Sequence, residues 1–243
     1  RELGGRMEVI TLPVNVGAAA ARNWIMHTDT AKAADFLAYL DDDVDVPADW
    51  LARLGAGVAR YPHAGVWGCK VVDADNAALV QSVDQHLQLP DAADGSGVDL
   101  TRSDSGAALL TNLHVQGLDC GEFDFLRPCA SVTGCCHLFR TGTLLEQGGF
   151  ALQLMPSQYD DMEHDLRLCE AGRFPACTGH LRVPHHQRTG AASRTSGRKE
   201  ANAIGNRYKM LAMHPPADLA PAAEAEVRLL AEDFSAKLER LDR

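Results

Sequence analysis

The chain has 243 residues, 46% of them hydrophobic, and carries a net charge of −10 at neutral pH. That apolar content suffices for a folded core, while the acidic balance excludes a general nucleic-acid binder, which needs a basic face to replace counterions around phosphates. No run of about 18 apolar residues is present, so no membrane-spanning helix is expected, and a soluble, cytoplasmic protein is the reading that follows.

The chain opens at Arg1 and passes almost at once into a strand-like segment at residues 8–13, which reads as a piece of something longer. Asn15, Val16 and Gly17 predict a turn, and residues 18–27, dense in alanine, predict a helix. Residues 36–40 predict a buried strand that runs directly into Asp41, Asp42 and Asp43. Three successive carboxylates repel one another and are tolerated mainly where a divalent cation or a set of donors neutralises them; the competing reading is a solvated acidic turn before the next helix. That helix is expected over 47–61, with Trp50, Leu51, Leu54 and Val58 at helical spacing, and a further strand over 66–72. Strands alternating with helices imply an α/β fold with a mostly parallel central sheet flanked by helices, and such sheets place ligands at the carboxyl ends of their strands.

Periodicity fails from 73 to 113, a stretch without an assignment in which 91–97 reads as an exposed loop. Residues 128–140 predict a strand pair bent at Gly134, followed by a short helix stopping at Gly148 and Gly149. An acidic helix is expected over 159–172, its carboxylates at the dipole's positive end. A strand through 181–184 leads to His185 and His186. Residues 187–199, Gly/Ser/Thr-rich and carrying Arg188, Arg194, Arg198 and Lys199, predict a mobile, locally basic loop. Pro215 and Pro216 close the helix that follows, and a last helix over 221–241 carries the apolar stripe Val227, Leu230, Phe234, Leu238 and Leu241, suited to packing within or between molecules. Residues 1–213 are taken as one domain and 214–243 as a linker with a C-terminal amphipathic helix. The seven cysteines include no Cys-x-x-Cys pair and read as small buried hydrophobes.

Four separated elements follow in order: Asn15-Val16-Gly17 leading to Ala21-Arg22-Asn23; Leu40-Asp41-Asp42-Asp43; Thr133-Gly134 through Gly148-Gly149-Phe150 to Asp160-Asp161; and His185-His186. Together they resemble the family 2 inverting glycosyltransferases of the GT-A fold. The resemblance implies that the aspartate cluster is the family's D-x-D motif. It makes Asp43 a metal ligand and puts Asp41 and Asp42 at the nucleotide, with Gly17 and Arg22 nearby. It also implies Asp161 as the catalytic base, with Glu163 or Asp165 in that role under another register, and His185 or His186 as a further metal or diphosphate contact. The family's first strand and its acidic contact to the nucleotide base are not matched before Arg1, and Glu163, His164, Asp165 and Cys169 depart from its pattern.

The implied activity is that of a metal-dependent inverting hexosyltransferase, moving a sugar from a nucleotide-diphosphate donor to an acceptor hydroxyl on a glycan, lipid or protein. Manganese or magnesium suits oxygen-rich ligands, and the basic loop would fold over the diphosphate. A nucleotidyltransferase, or a glycosyltransferase-like module without catalysis, are the alternatives. A further domain of a longer polypeptide, or a second copy joined through the C-terminal helix, are the expected partners beyond the substrates.

Overall fold

Nine strands and seven α-helices are seen in a computed structural model that describes residues 7–89, 110–111, 117–156, 158–187 and 196–241. The strands are β1 (Phe36–Leu40), β2 (Val66–Asp73), β3 (Val80–Ser82), β4 (Asp84–Leu87), β5 (Leu110–Thr111), β6 (Leu126–Pro128), β7 (Ser131–Val132), β8 (Cys136–Arg140) and β9 (Ala176–His185). The helices are α1 (Gly17–Met26), α2 (Asp29–Lys32), α3 (Trp50–Arg60), α4 (Thr141–Glu146), α5 (Asp160–Glu170), α6 (Gly197–Met213) and α7 (Pro216–Leu241). The loop expected at 91–97, and Arg188 and Arg194 of the basic segment, lie outside the described residues.

The main sheet runs β1-β8-β2-β9-β6, with β3 added beside β2. The expectation of a mostly parallel sheet is corrected here: only β2 and β9 pair in parallel, and every other pairing in this sheet is antiparallel. Strand–helix alternation did report direction, since β1, β2 and β9 all point the same way. It could not report that β8 slots between β1 and β2 in the opposite sense, because neighbour order is a long-range property. The shared direction of β1 and β9 still matters, for it brings Asp41, after β1, and His185, at the end of β9, to the same edge of the sheet.

Side chains alternate across this sheet, and both faces are covered. On one face Tyr39, Val66, Phe139 and Cys177 pack with Ala19 and Met26 of α1 and Leu168 of α5. On the other, Trp67, Cys69, Val71, Leu138, Leu181 and Val183 pack with Leu54, and Trp50 and Val58 of α3 lie against them. Leu51, expected in the same stripe, is exposed, because the side of α3 turned to the sheet runs through Trp50, Leu54, Gly57 and Val58. Burial on both faces explains why β2 is apolar up to its last residue apart from Lys70, whose buried ammonium is paired with Asp119 at 2.8 Å and Asp124 at 2.6 Å. Six of the seven cysteines are buried, and all are free.

One further expectation is corrected and another is narrowed. Residues 8–13 form no strand; Val9 and Ile10 stay exposed, and β propensity alone makes no strand without a ladder partner. In α7 the stripe residues Val227, Phe234, Leu238 and Leu241 are exposed and Leu230 is half-buried, so of the two kinds of packing expected the stripe as a whole does not pack within the chain, and the helix buries Leu219, Ala222, Glu226 and Asp233 against the body. It is held there by polar contacts. Tyr61 Oη donates to Asp233 Oδ1 at 2.7 Å and Leu87 N donates to Glu226 Oε2 at 2.9 Å. Among the described residues no helix is long and apolar enough to cross a membrane.

Candidate functional site

The segment after β1 is pinned to the end of β9 by backbone bonds: Asp45 N donates to the Pro184 carbonyl at 2.9 Å, and His186 N to the Asp43 carbonyl at 2.9 Å. Val44 and His185 form an antiparallel bridge between these bonds. As a result Asp41, Asp43 and His185 each turn one ligand atom into a common spot, all within 4.8 Å of one another. His185 Nε2 lies 3.2 Å from Asp43 Oδ1. That is about the spacing of neighbouring ligands on an octahedral ion with bonds of about 2.1 Å. Two carboxylates and one imidazole form a donor set that fits a hard divalent cation.

The structure separates the two histidines. His185 is buried and faces Asp43, whereas exposed His186 points its Nε2 to exposed Asp45 at 3.0 Å. Asp42, the middle of the three acids, is exposed and outside the cluster.

Arg22 ties this spot to the acidic helix. Its Nη1 donates to Asp160 Oδ2 at 2.8 Å, and its Nη2 donates to Asp41 Oδ1 at 3.2 Å and to the Gly134 carbonyl at 3.1 Å. The guanidinium, expected near the nucleotide, thus meets three protein acceptors. α1 itself is locked by Asn23, which donates to the Phe150 carbonyl and accepts from the Phe150 N–H, both at 2.8 Å. The motif residues Ala21-Arg22-Asn23 and Gly148-Gly149-Phe150 are therefore contact partners. Gly17 opens α1 at φ +77°, with its N–H on Asn15 Oδ1. A Cβ there would stand 2.4 Å from the Pro156 carbonyl oxygen, so the glycine is required by a close backbone approach, and no nucleotide contact is needed to explain it.

Helix α5 lays one face along residues 131–134. Asp161 Oδ2 accepts the Gly134 N–H at 2.7 Å, and one turn on Asp165 accepts from Ser131 Oγ at 2.9 Å and Val132 N at 3.0 Å. Asp165 is thereby committed to the interior. Glu163, on the opposite side, receives both Nε and Nη2 of Arg167 and lies 3.5 Å from His214 Nε2. Of the three acids considered for the base, Asp161 alone is only partly buried and adjoins the Arg22 cluster.

The electrostatics follow from this crowding. Burial pushes the Asp160 carboxyl up to about 6, and the Asp161 charge adds to it against the pull of Arg22. Burial likewise raises Asp41, with Arg22 opposing and Asp161 and Asp43 reinforcing. Three negative groups facing one guanidinium leave an excess of negative charge that a bound cation would offset. Sequence reading missed two parts of this site: Asp160 as the buried partner of Arg22, and Gly134 as the donor to Asp161. The glycine could have been suspected from its place at the bend.

Residues 1–105 match the model of Glycosyl transferase family 2. Among solved structures the chain resembles one described as GalNAc-T7 with UDP, GalNAc and Mn2+, at 12% identity and a TM-score of 0.57. The match covers 95% of this chain and 47% of that one, so the chain spans about half the length of that relative. No curated protein matches the chain by sequence. The fold is accordingly the GT-A fold, a central mixed sheet between helices, and the resemblance to family 2 glycosyltransferases stands on the first 105 residues.

Proposed function

We propose that this chain carries the catalytic centre of a metal-dependent inverting glycosyltransferase that uses a nucleoside diphosphate sugar. The reading is supported above all by one observation: Asp41, Asp43 and His185 converge, and Asp161 joins them through Arg22 and Gly134. The family match and the shared fold support a glycosyltransferase.

Asp41, Asp43 and His185 would hold the cation, manganese or magnesium by their donor chemistry. When bound it supplies Lewis-acid stabilisation of the charge that grows on the departing diphosphate. Asp161 is the base. Its carboxylate is oriented by the Gly134 N–H and takes the proton of the acceptor hydroxyl while that oxygen bonds to the anomeric carbon. The bond from that carbon to the diphosphate oxygen breaks in the same displacement, which inverts the centre. Arg22 holds Asp41 and Asp160 in place, its one guanidinium bridging the two carboxylates.

Calorimetry with uridine and guanosine diphosphates, with and without manganese, tests this. Binding should need the metal and vanish in Asp43→Ala. Asp161→Asn should leave diphosphate affinity within several-fold but lower turnover by about a hundredfold or more, the scale of a lost general base. Metal-independent binding, or full turnover in the asparagine variant, overturns the assignment. An absence of any nucleotide binding would instead support a module without catalysis.

A further inference from the structure

The geometry points to Gln81 as the residue that decides which imidazole nitrogen His185 presents to the cation, an inference that rests on the metal-site reading above. Gln81 sits on β3, which pairs with β2 as Val71 to Ser82 and Val72 to Val80. One step along β2 thus corresponds to two along β3, and Gln81 is the extra residue of a bulge. Bulges re-aim side chains, and this one sends the Gln81 amide past β2 to the last residue of β9.

There the amide makes two bonds with one residue. Its Nε2 donates to the His185 carbonyl oxygen at 3.2 Å, and its Oε1 lies 3.0 Å from His185 Nδ1. The first bond sets the second. A carbonyl oxygen only accepts, so the amide nitrogen must face it, which leaves the amide oxygen opposite Nδ1 and requires the proton on Nδ1. The neutral ring then carries its lone pair on Nε2, aimed at Asp43 Oδ1 3.2 Å away. Two acceptors at that distance repel unless a positive charge lies between them. Gln81 is 2% exposed and His185 6%, so water does not readily compete for either bond. A histidine ligand whose other nitrogen donates to a fixed acceptor is held in both tautomer and ring orientation, and losing such an acceptor typically costs about 10–100-fold in metal affinity. Gln81 is therefore a positioning residue of this site.

Long-range proton–nitrogen NMR on the chain without metal, near pH 8, reads the tautomer directly. The Nδ1–H form of His185 is expected in the parent, and a dominant Nε2–H form overturns the assignment. Gln81→Leu should shift the population toward Nε2–H and weaken manganese binding about 10–100-fold by calorimetry. Equal manganese affinity in the leucine variant also overturns it. If the leucine variant does not fold, the parent spectrum decides alone. A parent that shows the Nδ1–H tautomer but binds no manganese defeats the metal reading while upholding the role of Gln81 in setting the ring.

Discussion

His86 offers a stability test whose size can be worked from its surroundings. Its Nε2 lies 2.7 Å from Asp84 Oδ2 and its Nδ1 2.8 Å from Glu226 Oε1, while Arg127 Nε reaches the same Asp84 oxygen at 2.6 Å. Only the imidazolium can donate to both carboxylates, and this is the clamp that joins β4 and β6 to α7. Burial works against the charged ring, yet the bonds to Asp84 and Glu226 prevail and push its pKa up to about 9 from an ordinary 6.5. Because the folded value is raised, the contribution is fully present below 6.5 and is lost as pH rises through about 9. At about 1.4 kcal/mol per pH unit, the full effect is about 3 kcal/mol. Asp84, held down to about 2 by His86 and Arg127 against its own burial, stays ionised throughout this window. Urea unfolding of the parent and of His86→Gln at pH 6 and pH 9.5 isolates the effect, since other titrating groups cancel in the comparison. The parent should lead by the larger margin at pH 6, and the margin should shrink by about 3 kcal/mol at pH 9.5. A margin that does not change with pH would refute the clamp.

Two other substitutions probe the site's framework. Gly134→Ala would place a Cβ 3.0 Å from Asp161 Oδ2 and 3.3 Å from Arg22 Nη1. It should lower kcat by about tenfold or more with little change in KM, because it moves the base and leaves the cation site in place; steady-state kinetics with equal kcat would count against Asp161. Gly17→Ala combines a positive φ with a 2.4 Å approach to Pro156 O and should destabilise by at least about 1–3 kcal/mol, seen as a lowered Tm.

Much of the local structure was legible in the residues themselves. The alanine-rich run became α1, the glycines after α4 and α5 took positive φ, and the aspartate triplet did fall at the end of β1. These outcomes depend on neighbours a few positions apart, through propensity, turn chemistry and periodicity. The ordered motifs also proved to be contact partners, as Asn23 and Phe150 show.

Other features depended on pairings between distant parts of the chain. Residues 8–13 had the composition of a strand but met no ladder partner, and β8 entered the sheet against the direction of β1 and β2. Composition cannot reveal either outcome, since a strand is completed only by what pairs with it. The same holds at the site. The residue types nominated Asp41, Asp43, Asp161 and two histidines, but the bridge of Val44 to His185 brought His185 and not His186 beside Asp43, and Glu163 and Asp165 were drawn into interior contacts while Asp161 stayed half-buried beside Gly134. Gln81 had no signal of its own in the chain; a bulge in β3 and the end of β9 had to meet before its amide acquired a role.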